Sequence, residues 1–295
     1  MTTCPSNPSA HKVTQLLEGG AAYLCRHKIS PEEAQTQAEI LVSEVLRIPP
    51  GRLLLEQQRI ATVDEIETLR AAFLRLAKGE PIQYVVGEWP FHNITLKTDA
   101  RALIPRPETE QLVERILHSE VWQRATHIVD IGTGTGAIIL ALAAADKSCT
   151  KQFHAVDISP EALSLAKENA TRLNLSTRVT FELADGASTL PQRAFDILVS
   201  NPPYISTKET DALPPLILNH EPRTALDGGE DGLDILRQII LDGTQILRPG
   251  GAIFLEIGDD QGLSVQRLLD CAGYSQSQIH KDFARHDRYA EATIL

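Results

Sequence analysis

The chain has 295 residues, 42% of them hydrophobic, and 28 basic against 39 acidic side chains, for a formal net charge of −11. That length suggests about two domains, and that apolar content excludes disorder over most of the chain. The acid excess excludes tight nonspecific binding to phosphate backbones, and no run approaches the roughly 20 apolar residues a membrane-spanning helix needs.

Residues 1–10 hold Pro and Ser but no basic stretch ahead of an apolar one, so a short disordered lead is expected there rather than a secretory signal. Residues 1–80, with 9 basic and 10 acidic side chains, predict a helical bundle. Ser30-Pro31-Glu32-Glu33 reads as a helix start, with Ser30 as cap and Glu33 closing a capping box. Ala34, Ala38, Leu41, Val42 and Val45 follow at helical spacing, and Ile48-Pro49-Pro50-Gly51 stops the run. A further helix is predicted over 64–78, with Ile66, Leu69, Phe73 and Leu76 on one face and Gly79 ending it.

Residues 82–104 change character: Tyr84, Val85, Val86, Phe91, Ile94 and Leu96 favour extended chain, and a β-hairpin linker is expected over 81–104. From 105 to 295 strand and helix alternate. Helices are predicted over 108–117, 136–145, 160–173, 233–246 and 262–272, and strands over 127–130, 153–157, 179–183, 195–200, 252–257, 275–283 and 289–295. Such alternation calls for a mostly parallel sheet covered on both faces. Residues 81–295 carry 19 basic and 29 acidic side chains, so most of the negative charge lies here.

Asp130-Ile131-Gly132-Thr133-Gly134-Thr135-Gly136 follows a strand and opens a helix. Glycines let the backbone turn sharply and approach a ligand, and free N–H groups at the helix start attract electron-rich groups. Asp157 ends the next strand, 21 residues after Gly136, where an acid accepts from ribose hydroxyls. Asp185, with Gly186 after it, ends the third strand and can accept from an adenine amino group. On the loop alone, Gly132, Gly134 and Ala137 would also suit a dinucleotide.

Asn201-Pro202-Pro203-Tyr204 follows a buried strand, at the carboxyl edge of the sheet where ligands bind in such folds. The Asn201 side-chain oxygen and the Pro202 carbonyl can accept both hydrogens of an –NH₂ group. Two prolines stiffen the loop, and Tyr204 can stack on a planar amide or base.

Together these residues resemble the HemK-type (PrmC-type) protein glutamine N5-methyltransferases that modify peptide chain release factors. Leu103-Ile104-Pro105-Arg106-Pro107-Glu108-Thr109-Glu110, Pro81-Ile82-Gln83-Tyr84 with Gly87, and Glu221-Pro222 with Ala225-Leu226 extend the resemblance over nearly the whole chain. The Pro-Arg-Pro-Glu run sets it apart from the sister group that acts on a ribosomal protein. The resemblance implies a class I S-adenosylmethionine-dependent methyltransferase fold, Rossmann-like, with a mostly parallel seven-stranded sheet behind an N-terminal helical bundle that docks the substrate. It implies S-adenosyl-L-methionine as cofactor, S-adenosyl-L-homocysteine as product, and the glutamine of the Gly-Gly-Gln motif in class I release factors as target. Asn201, Pro202 and Tyr204 would be catalytic, and Pro203 and Arg106 would join them in holding substrate. Asp130, Gly132, Thr133, Gly134, Thr135, Gly136, Asp157, Asp185, Gly186 and Asn201 would face the cofactor. Gly186 departs from the pattern, which calls for a larger side chain beside adenine.

Asn-Pro-Pro-Tyr would serve adenine N6 or guanine N2 equally well, and a nucleic-acid methyltransferase is the alternative; a non-enzymatic binding module is a third. No metal is expected, since neither Cys nor His shows metal spacing, no membrane contact, since no apolar run is long enough, and no direct nucleic-acid contact, given the acid excess. The scattered Cys4, Cys25, Cys149 and Cys271 read as reduced thiols, which fits a reducing compartment; a cytoplasmic location and a monomer are expected. Glu256 is expected either to line the cleft or to hold neighbouring loops, and 281–288 to form a solvated hairpin.

Overall fold

A computed structural model describes residues 11–295, so the expected lead and Cys4 lie outside the described residues. The chain divides into two compact units, one ending at Gly87 and one spanning Glu88–Leu295.

The first unit contains α1 (Val13–Arg26), α2 (Pro31–Leu46), α3 (Val63–Ala77) and the short α4 (Ile82–Val86). Val13, Leu24, Ala38, Leu41, Leu69 and Leu76 form its interior. Ser30 caps α2 by accepting from Glu33 N at 3.3 Å. The capping box lies elsewhere: Glu33 takes a hydrogen bond from Gln37, whereas Thr62 and Glu65 close the reciprocal pair at the start of α3. Tyr84–Val86 are helical, not extended. Pro81 sets the entry, Gly87 at φ +80° closes the turn, and burial of Ile82 and Tyr84 outweighs their strand preference.

The second unit opens with the hairpin β1 (Glu88–Phe91) and β2 (Ile94–Lys97). Then come α5 (Pro107–His118), α6 (Glu120–Arg124), β3 (His127–Ile131), α7 (Ala137–Ala145), β4 (Gln152–Asp157), α8 (Pro160–Arg172), β5 (Val179–Leu183) and β6 (Phe195–Ser200). The short α9 (Thr207–Asp211) and α10 (Pro215–Leu218) precede α11 (Asp234–Ile246), β7 (Leu247–Glu256), α12 (Gly262–Cys271), β8 (Tyr274–Lys281) and β9 (Asp287–Ile294). The seven-stranded sheet runs β5-β4-β3-β6-β7-β9-β8, parallel except at β9, which is antiparallel to β7 and β8. Its two faces alternate residue by residue. Ile128 and Ile197 pack with α5, α6 and α7, while Val129 and Leu198 pack with α11 and α12.

Chain order reverses between β3 and β6, so the loops leaving their carboxyl ends diverge and open a crevice, the usual ligand position in such sheets. The glycine loop leaves β3 and Asn201 leaves β6.

Among the described residues no helix is long and apolar enough to cross a membrane, and no group of three or more His, Cys, Asp or Glu side chains could hold a metal ion.

Candidate active site

A cavity of about 530 Å³ occupies this crevice, within the range of small-molecule sites. Gly132, Thr133, Gly134 and Thr135 form one wall, and Asp157, Asp185 and Gly186 another. Gly132, Gly134 and Gly136 have φ of +76°, +56° and +82°, the left-handed region that favours glycine. The loop is tied down from below. Gly134 N donates to Asp157 Oδ2 at 2.8 Å, Ser159 N to Asp157 Oδ1 at 2.9 Å, and Asn169 Nδ2 to Thr135 O at 3.0 Å. Burial raises the Asp157 carboxyl above its ordinary value.

Two residues expected at the cofactor are not on the cavity wall. Asp130 is fully buried beneath the loop, where it accepts from Thr133 Oγ1 at 2.7 Å, and burial pushes its carboxyl up to about 7. Gly136 caps α7 and packs against Leu140 and Ala166, leaving no room for a Cβ. Gly186 lacks a side chain for a local reason: at φ +59° its Cβ would sit 2.7 Å from Asp242 Oδ2, the oxygen that accepts from Ala187 N at 2.9 Å.

Asn201, Pro202, Pro203 and Arg106 line this cavity and also a smaller adjoining one of about 110 Å³. Tyr204 reaches only the smaller one. Arg106 caps the start of α5, and its Nη2 donates to the buried Glu221 Oε1 at 2.6 Å, while Glu221 Oε2 accepts from Ile104 N at 3.3 Å. The resemblance that named Arg106 as a substrate contact meets, in this geometry, a guanidinium already paired. The Asn201 carboxamide donates through Nδ2 to Thr109 Oγ1 at 3.0 Å. Ser200 pairs with Leu255, so Asn201 and Glu256 leave the sheet side by side.

Comparisons with known proteins give the family. A methyltransferase domain model matches residues 123–270, and a PrmC N-terminal domain model matches 15–87. The release factor glutamine methyltransferase of Caulobacter vibrioides is 35% identical over 87% of this chain and 88% of its own. That of Streptococcus pneumoniae is 44% identical over 72% of this chain and 74% of its own. The chain belongs to the release factor glutamine methyltransferases. Among solved structures, the hMettl16 catalytic domain in complex with the MAT2A 3′UTR hairpin 6 superposes with a TM-score of 0.54 at 18% identity, over 80% of this chain and 84% of that one, a likeness of fold.

In this methyltransferase the contacts that support the Asn201–Tyr204 loop escape a motif-based reading, although Thr109 stands in a motif and Glu256 is expected to hold neighbouring loops. Thr109, 4% exposed, donates to Glu256 Oε2 at 2.7 Å, and Tyr204 Oη donates to Glu256 Oε1 at 3.3 Å. Gln261 Nε2 donates to the Tyr204 carbonyl at 2.8 Å. Gly228 packs directly on the Pro203 and Tyr204 backbone. Arg288, expected in a solvated hairpin, turns inward: Nη1 donates to Ile257 O at 3.1 Å, and Nε lies 3.5 Å from the buried Asp282 carboxylate.

Glu256 is 1% exposed, and burial pushes its carboxyl up to about 7, opposed by Thr109, Arg288 and Tyr204 and aided by Glu108. Between about 4.5 and about 7 the folded enzyme therefore keeps a proton that the unfolded chain has released. Stability from this group is fully present below that window and is lost as pH rises through it. Urea unfolding at pH 4 and pH 8, on either side of that window, is expected to show wild type losing about 3 kcal/mol relative to Glu256→Gln. Parallel pH dependence of the two proteins would contradict the assignment.

Proposed function

We propose that this enzyme transfers the methyl group of S-adenosylmethionine to the side-chain amide nitrogen of the glutamine in the Gly-Gly-Gln motif of class I release factors. The observation that carries this reading is the Asn201 carboxamide at the junction of the two cavities, with Nδ2 engaged by Thr109 and Oδ1 left to accept. Among the described residues no other hydrogen bond engages that side chain, and no backbone N–H donates to the Pro202 carbonyl.

S-Adenosylmethionine supplies, when bound, a methyl carbon on a positively charged sulfur that departs as the neutral thioether of S-adenosylhomocysteine. The larger cavity fits it by size and by donor set. Gly132 to Thr135 bring the backbone close, and Asp157, already accepting two N–H groups, keeps lone pairs for ribose hydroxyls. Asp185 and Gly186 take the adenine side, and Asp130 supports the loop through Thr133. Asp157→Ala is expected to weaken cofactor binding about 10- to 100-fold, the worth of charge-assisted hydrogen bonds. Titration calorimetry showing unchanged affinity would mean the ribose sits elsewhere.

An amide nitrogen is a weak nucleophile because its lone pair is delocalised. Asn201 Oδ1 and Pro202 O would each accept one amide hydrogen, orienting the nitrogen toward the methyl carbon and stabilising the positive charge that grows on it. The N–C bond forms as the S–C bond breaks, and the nitrogen, made acidic by alkylation, gives one proton to water. Tyr204 is no base for that proton, because burial and the Glu256 charge raise its phenol well above 10. It would instead wall the glutamine side chain, with Pro203. Arg106, paired with Glu221, would hold the rim. The sulfonium carries its own leaving group, so the reaction calls for no metal. The reading takes the chain as a cytoplasmic monomer, with the helical unit docking the release factor.

The test is incubation with labelled cofactor and either a release factor or RNA and DNA. Label on the release factor is expected; label on nucleic acid alone would defeat the reading in favour of an exocyclic base amine.

A further inference from the structure

A carboxamide has two ends of nearly equal shape and opposite function. Rotation by half a turn about χ2 exchanges the accepting oxygen for the donating NH₂. If Asn201 turned its NH₂ to the substrate, two donors would face each other. Something must select the orientation, and packing shape alone does so poorly.

The selection is visible in the hydrogen-bond directions. A threonine hydroxyl has one proton to give and two lone pairs to receive. The Thr109 proton goes to Glu256 Oε2 at 2.7 Å, so its oxygen can only accept from Asn201, and it meets Nδ2 at 3.0 Å. Glu256 Oε1 accepts from Tyr204 at 3.3 Å, so one carboxylate anchors both ends of the Asn201–Tyr204 loop. The three groups come from α5, from the end of β6 and from the end of β7. We propose that Thr109 and Glu256 form a positioning relay that locks the Asn201 carboxamide with its oxygen toward the substrate. The relay rests on the assignment of Asn201 to the glutamine amide.

Burial argues the same way. Glu256 is 1% exposed, and among the described residues two hydroxyls are its hydrogen-bond partners. A buried carboxylate without a close ion pair costs stability that an apolar residue would not. Losing Glu256 would free Thr109 to donate to Asn201 Oδ1, and the amide could then bind either way round. Neither Thr109 nor Glu256 needs to touch the substrate for this.

The test is steady-state kinetics on a release factor at pH 8, above the point where Glu256 titrates. Thr109→Val, nearly isosteric but without the hydroxyl, is expected to lower kcat about tenfold or more, with KM for both substrates within about threefold. Thr109→Ser restores most of that loss. Glu256→Leu shows the same loss in kcat, and the double variant Thr109→Val/Glu256→Leu loses no more than either alone, as members of one relay must. Unchanged kcat in Thr109→Val, equal losses in the Ser and Val variants, or additive losses in the double variant would each overturn the relay. Full activity in Asn201→Ala would instead overturn the assignment of Asn201 itself, so the two failures are distinguishable.

Discussion

Asn201→Ala is expected to lower kcat for methyl transfer by about 10³-fold or more while leaving cofactor affinity within a few-fold. The size follows from what is removed. One oriented carbonyl that stabilises growing charge is worth about 10²–10³ in rate, and loss of nucleophile alignment adds to that. The small effect on cofactor follows from the separation of tasks in the crevice. Asp157, Gly134 and Ser159 hold one another through backbone N–H bonds that do not involve Asn201. Single-turnover kinetics with saturating cofactor separates the two terms. A variant that loses cofactor affinity as steeply as rate would show that Asn201 serves binding rather than chemistry.

Gly228→Ala is expected to lower kcat about 10- to 100-fold although Gly228 lines neither of the two cavities. A Cβ at this position would lie 2.6 Å from Pro203 O, 2.8 Å from Gly232 O and 3.0 Å from Tyr204 Cα. All three are backbone atoms, so no flexible side chain can yield, and the Asn201–Tyr204 loop must move. Misplacement by about 1 Å costs about 10²-fold in a reaction that depends on alignment. Overpacking should also lower stability by about 1–3 kcal/mol. Gly19→Ala, where a Cβ meets nothing within 4 Å, is the control for mutation as such. Wild-type kcat in Gly228→Ala would mean that the loop tolerates displacement.

What the sequence revealed, and what it hid, divides along physical lines. Strands β3 and β6 are mostly apolar runs followed at once by Gly132 and Asn201, so local chemistry marks their ends within a residue. The alternation of strand and helix then implies a parallel sheet, and that sheet's reversal point brings Gly134 and Asn201 together. Local propensity failed at Ile82–Val86, where caps and burial impose a helical turn on β-branched and aromatic residues. It also misassigned the capping box to Glu33, since the same sequence pattern occurs at Thr62–Glu65 and only geometry tells them apart. Asp130 carries the right chemistry for a ligand but points inward, and no spacing rule reports the direction of a side chain next to a tight turn.

The largest gap concerns partners distant in sequence. Thr109 and Glu256 are 147 residues apart, and Arg106 and Glu221 are 115 apart. Arg106 and Thr109 stand in one motif, Glu221 in another and Glu256 at a strand end, but nothing along the chain pairs them, and only closure of the fold gives each its partner. Gly228 and Gln261 belong with these, since their role is to press or hold the backbone of a loop named by other residues. A motif identifies the groups that meet the ligand; the groups that aim them are found only in three dimensions.

On the proposed mechanism this chain methylates a glutamine side-chain nitrogen that Asn201 orients. Tandem mass spectrometry of a release factor, digested after incubation with the enzyme and S-adenosylmethionine, tests it most directly. One added methyl is expected on the side-chain nitrogen of the Gly-Gly-Gln glutamine, absent when Asn201→Ala replaces wild type. A methyl on any other residue, or the same modified peptide from the Asn201→Ala enzyme, would contradict it.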